Sequence, residues 1–162
     1  MTSPSRRLRA LRHGRAIHLL DIENLTGSGC PTTESVHEVM ALYARHIAIG
    51  PMDHFIAAVS HHSLIAAGIA LRGMRLLARS GRDGADRALV ETARHDRIDL
   101  RFERVVIGSG DHYFTGLATW LRGRGIHVTV LSHPNRLSRQ LRAAALDVVT
   151  FPPALSALDQ AA

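Results

Sequence analysis

Lysine is absent from the 162 residues, and all 20 basic side chains are arginine. That excludes a Schiff-base amine, the lysine of a phosphate-binding P-loop and the lysine of a phosphorylated receiver. Cysteine is almost as scarce. Cys30 stands alone, so no intramolecular disulfide can form, and no Cys/His run has the spacing of a zinc site. Aromatic residues make up 4% of the chain, which leaves the core to Leu, Ile, Val and Ala. No apolar run reaches the roughly 18 residues needed to cross a bilayer. The basic N-terminus (Arg6, Arg7, Arg9, Arg12, Arg15) lacks the apolar segment of a signal peptide. Cytoplasmic residence without a membrane partner is the expectation.

What is present is enough for one folded domain. A chain of this length buries a core without disulfides. The formal charge is +6, carried by side chains that grip phosphate bidentately. A polyanionic partner fits this charge, although a GC-rich genome accounts for the arginine usage equally well. Residues 1–15 read as a disordered basic tail, 16–151 as the domain and 152–162 as a frayed C-terminus.

Within the domain, short apolar runs alternate with helical periodicity. Strands are predicted at 16–22, 55–59, 74–78, 105–107, 126–131 and 148–151. Helices are predicted from Thr32 or Thr33 to Ile49, then over 62–71, 85–95, 112–121 and 137–145, with Gly50-Pro51, Gly73 and Gly123/Gly125 as stops. Strands that are apolar throughout and separated by helices imply a parallel sheet covered on both faces. The predicted fold is a three-layer α/β/α domain with a mainly parallel sheet of five to six strands.

Sheets of this kind keep their chemistry beyond the carboxyl ends of the strands. Asp21 ends the first strand, Asp111 follows the fourth, and Asp86 opens the helix after the third, with Asp83 three residues earlier. If the first and fourth strands are neighbours, Asp21 and Asp111 converge. Clustered carboxylates raise one another's pKa, and a divalent cation removes that cost. Oxygen ligands without His or Cys favour Mg²⁺ or Mn²⁺, and such an ion is a means of hydrolysing phosphodiesters. Each residue also has a plainer reading. Asp86 could cap a helix, and Asp111 could serve a turn; a charge at the end of the apolar run at Asp21 needs a partner in any case. Gly108-x-Gly110 lacks the third glycine of a dinucleotide fingerprint. Ser109 near His112 lacks a nucleophile elbow.

These residues resemble a known family. Leu20-Asp21-Ile22-Glu23-Asn24-Leu25 resembles the opening Asp-x-x-Asn motif of NYN domains, a branch of the PIN-like ribonucleases. Gly84-Ala85-Asp86-Arg87-Ala88-Leu89 resembles their second motif, and Ser109-Gly110-Asp111 before Phe114 the third. The stretch Leu137-Ser138-Arg139-Gln140-Leu141-Arg142 resembles the tail of small bacterial members. The resemblance runs through residues 16–151 with the motifs in order. It implies a PIN-like fold, an Mg²⁺ or Mn²⁺ site held by Asp21, Asp86 and Asp111, and cleavage of RNA, single-stranded by expectation. Asn24 would orient the first carboxylate or a phosphate. Arg82, Arg136 and Arg139 would contact RNA phosphates, with Asp83 and Ser109 as auxiliary residues. The chain departs from the family where the third motif usually has a second aspartate, because Tyr113 stands there; Asp83 or Glu23 could substitute. The alternative is a non-catalytic RNA-binding module in which Tyr113 stacks on a base. A second copy of the chain or a regulatory protein are the remaining candidate partners.

Overall fold

The structure, a computed structural model, describes residues 12–153. The expected tails therefore lie outside the described residues up to residue 11 and from residue 154. Six strands, β1 (Ala16–Asp21), β2 (His54–Val59), β3 (Arg75–Ala78), β4 (Arg104–Gly108), β5 (His127–Ser132) and β6 (Asp147–Thr150), form one sheet in the order β3-β2-β1-β4-β5-β6. Every pairing is parallel. The order reverses between β1 and β4, and the crevice that such a reversal opens at the carboxyl edge is the usual place for a site.

Seven helices connect the strands: α1 (Ile22–Thr26), α2 (Thr33–His46), α3 (Leu64–Ala70), α4 (Gly84–His95), α5 (Ile98–Arg101), α6 (Thr115–Gly123) and α7 (Arg139–Ala144). The strand pleat divides their cores. Ile17, Leu19, Ile56, Val105, Ile107, Val128 and Val130 face a cluster that includes Leu89, Phe114, Leu117 and Leu121 from α4, α6 and the turn between. Leu20, Ala57, Val59, Val106 and Leu131 face the opposite cluster, with Val36, Val39 and Tyr43 of α2. This is the three-layer α/β/α arrangement, with both sheet faces buried under helices.

The ends of the elements follow local chemistry. Thr32 and Ser35 form a reciprocal capping box at the start of α2. The helix predicted from His112 opens instead as a 3₁₀ turn over His112–Phe114, because Asp111 caps it by accepting from Tyr113 N at 2.8 Å. His61–Ser63 is a similar turn ahead of α3. The four- and five-residue helices α5 and α1 were not foreseen, since they are shorter than a period of hydrophobic repeat can reveal.

One polar network crosses the core. Tyr43 Oη lies 2.6 Å from His18 Nδ1, and His18 Nε2 lies 3.0 Å from Asp53 Oδ2. Asp53 also accepts from Ala16 N and Gly50 N. Burial lowers the His18 pKa, outweighing the pull of Asp53. Burial pushes Asp53 the other way, but the hydrogen bonds from Gly50 N, His18 and Ala16 N prevail and hold it below the ordinary carboxylate range. Neutral imidazole is thus a donor to Asp53 and an acceptor from Tyr43. Among the described residues no helix is long and apolar enough to cross a membrane.

Candidate functional site

The first and third motifs are stitched together because β1 and β4 are neighbours, with Leu20 opposite Gly108. Ser109 Oγ donates to Asp21 Oδ2 at 2.9 Å. Asn24 Oδ1 accepts from Gly110 N at 3.1 Å, and Asp111 N donates to Ser109 Oγ at 3.2 Å. Asp21 also caps α1, accepting from Asn24 N at 3.3 Å. Gly108 and Gly110 keep this seam tight. A Cβ at Gly110 would stand 2.3 Å from the Arg136 carbonyl oxygen and 2.4 Å from Ser132 Oγ.

The second motif reaches the same seam from α4. Asp86 sits in the first turn of that helix rather than at its cap; the cap position belongs to Asp83, which holds a left-handed φ of 53° and makes no side-chain capping bond. The Asp86 and Asp21 carboxyl groups are both buried, and each is close enough to perturb the other's ionisation. Burial raises the Asp21 pKa against the opposing hydrogen bonds from Asp86, Ser109 and Asn24 N. Burial and then the Asp21 charge push Asp86 up to about 8, with Asp111 and Asp83 adding to the repulsion. The pair therefore carries a proton under conditions where ordinary carboxylates carry none.

Asp21, Glu23, Asn24, Asp83 and Asp86 line one open cavity of about 200 Å³, together with Ser60 and Arg79. Asp111 stands outside this lining. Its side chain is 30% exposed, 3.1 Å from His112 Nδ1, and is felt at Asp86 as charge. Among the described residues no group of three or more His, Cys, Asp or Glu is arranged to hold a metal ion. Of the expected carboxylates, Asp21 and Asp86 line the cavity together, and Asp111 lies beside it.

The expected arginines fall in different places. Arg82 is 97% exposed beside Asp83. Arg136 turns its guanidinium to the carbonyls of Asn24 and Gly27. Arg139 is exposed at the start of α7, next to Ser138, whose N donates to Gly110 O. Tyr113 is half-buried beside Asp111. Two residues at this edge escaped the sequence reading, Ser60 and Arg79. Ser60 N and Oγ both donate to Glu23 Oε1, as does Ser63 Oγ. Ser60 follows β2 and Arg79 follows β3, so the rule that directed attention to the ends of β1 and β4 applies to both.

Fold and site together define a parallel α/β/α domain with an acidic pair at the strand-order reversal. The sequence profile of the NYN domain matches residues 19–152, and the chain belongs to the NYN domain family, within the PIN-like superfamily. A protein of unknown function from Vibrio parahaemolyticus has a similar crystal structure. Its TM-score is 0.58 at 18% identity, over 94% of this chain and 98% of that one. At that identity the likeness concerns the fold alone. No curated protein matches the sequence.

Proposed function

We propose that the protein is a metal-dependent ribonuclease that hydrolyses RNA phosphodiester bonds at the Asp21–Asp86 pair. The observation that carries this reading is the placement of those two buried carboxyl groups in the lining of one open cavity. Two buried carboxyl groups repel unless a proton or a cation lies between them. The donor set is oxygen only, which suits Mg²⁺ or Mn²⁺. Mg²⁺ needs one or two carboxylates and fills its remaining positions with water and substrate phosphate, so a pair fits it without a third close ligand. Asp21 and Asp86 would hold the ion, with Asp111 adding negative charge from the rim. When bound, the ion supplies Lewis acidity to water and to the phosphoryl oxygens.

The chain's own residues set the geometry. Ser109 fixes the rotamer of Asp21. Asn24 spends its carbonyl on Gly110 N, which leaves its NH₂ group to donate to a phosphate. The test is cleavage of a labelled single-stranded RNA in Mn²⁺, Mg²⁺ and EDTA. Cleavage should require metal and fall on the order of a hundredfold or more in Asp21→Asn. Equal cleavage by that variant would reject the reading.

A second reading is a non-catalytic RNA-binding module. It is favoured by Asp111, which caps the turn at Tyr113 N and lies against His112. RNA binding unmoved by EDTA, with no cleavage in any metal, would select it.

A further inference from the structure

The carboxylate cavity brings together four acidic side chains and one basic one. Asp21, Glu23, Asp83 and Asp86 line it, and Arg79 is the basic residue among its lining. RNA brings further negative charge to such a place, so its approach needs a cation from the protein as well as a metal. We infer that Arg79 binds a phosphate of single-stranded RNA at this cavity; the inference rests on the ribonuclease reading above and deepens it.

The backbone of Arg79 is fixed from two sides. Its N donates to Val59 O at 3.0 Å, which continues the β2–β3 ladder one residue past β3. On the other side α4 closes onto it. A Cβ at Gly84 would stand 2.5 Å from the Arg79 carbonyl oxygen, so glycine is what lets the first turn of α4 approach. Asp86 lies two residues further along that turn. Arg79 and the carboxyl pair are thereby held in a set relation by main-chain contact.

The guanidinium is held loosely. Arg79 Nη1 donates to Glu91 Oε2 at 2.6 Å, and the two side chains are 37% and 58% exposed. Exposed pairs of this kind are weak, whereas a phosphate takes the guanidinium fork bidentately. Glu91 loses little when Arg79 leaves, because Arg87 Nη2 lies 3.8 Å from its other oxygen. The other candidate arginines are less suited. Arg136 is committed to two main-chain carbonyls, and Arg82 projects into solvent beside Asp83.

The experiment compares wild type, Arg79→Ala, Arg79→Lys, Glu91→Gln and the Arg79→Ala/Glu91→Gln double variant. Three quantities are read: anisotropy of an end-labelled oligouridine in Ca²⁺, its cleavage in Mn²⁺, and Mn²⁺ uptake by calorimetry. Arg79→Ala should raise Kd and KM for RNA about tenfold, the loss of one charge-assisted contact. Its Mn²⁺ affinity should be unchanged or tighter, since a positive charge has left the cavity. Arg79→Lys should recover part of the RNA affinity. Glu91→Gln should tighten RNA binding severalfold, and this gain should vanish in the double variant.

If wild type shows metal-dependent cleavage and Arg79→Ala matches it in Kd and KM, this inference falls and the ribonuclease reading stands. A gain from Glu91→Gln that persists without Arg79 overturns it too. Wild type that neither takes up Mn²⁺ nor cleaves RNA overturns the underlying reading, and the inference with it. Should Arg79→Ala fail to fold by circular dichroism, Arg79→Lys and Glu91→Gln carry the test.

Discussion

Asp86 has two opposing effects on the molecule. Its carboxyl is pushed up to about 8 by burial and by Asp21, against an ordinary value of 3.8. A carboxyl raised in the folded state contributes stability that is complete below about 3.8 and drains away as pH rises to about 8. Asp86→Asn removes that loss. In EDTA the variant should melt a few degrees above wild type at pH 8, with the difference shrinking towards pH 5, as differential scanning fluorimetry would show. Addition of Mn²⁺ should raise wild type and leave the variant where it was, because a ligand stabilises only the state that binds it. A variant that melts below wild type at pH 8 would contradict the account. At this scale the sequence revealed the acidic residues through their positions at strand ends. It did not reveal their ranks. Nothing in the spacing separates Asp86, buried against Asp21, from Asp111, which serves a turn and pairs with His112. That distinction depends on where α4 sits on the sheet.

The elements are held by a few close approaches, and Gly110 is the tightest at the site. Gly110→Ala drives a Cβ into the Arg136 carbonyl and Ser132 Oγ. The loop between β5 and α7 must move, at a cost of about 1–3 kcal/mol, and the Gly110 N to Asn24 bond goes with it. Gly116→Ala is the matched comparison. It lies inside α6 with nothing within 4 Å of its Cβ position, and it should stabilise by about 0.4–1 kcal/mol. Urea denaturation of the two variants reads both signs. Loss at both positions, or at neither, would break the argument. Strands and long helices were legible at this scale, because apolar runs and 3.6-residue periods extend over enough residues to be seen. Helix α1 was not, since Asp21 both ends β1 and caps the next element with no intervening loop. The 3₁₀ openings at His61 and His112 were likewise hidden, as they arise from individual side-chain caps and turns.

Over the whole molecule, stability is shared between the acidic edge and the opposite side of the sheet. There the His18–Asp53–Tyr43 network works with the reverse sign to Asp86. His18 is held below its ordinary 6.5 by burial, so its contribution is complete above 6.5 and is lost as pH falls towards its folded value. Asp53, depressed by its hydrogen bonds, adds a further loss at lower pH as it protonates. In wild type the two edges oppose one another as pH falls below 6.5, and the profile is flattened. In Asp21→Asn/Asp86→Asn the opposition is gone, and the denaturation midpoint should fall as pH drops below 6.5. A midpoint that stays level in that variant would show that His18 is not held neutral by the fold.

The sheet order has a consequence in time. Asp21 is bonded to Ser109 across 88 residues and Asn24 to Gly110 across 86. Closing a loop of that length costs on the order of 4 kcal/mol in chain entropy before any contact returns it. During synthesis β1 leaves the ribosome long before β4 exists to pair with it. The acidic edge therefore cannot assemble before residues 109–111 have emerged to meet Asp21 and Asn24, even though ribosomal RNA surrounds the chain from its first residues.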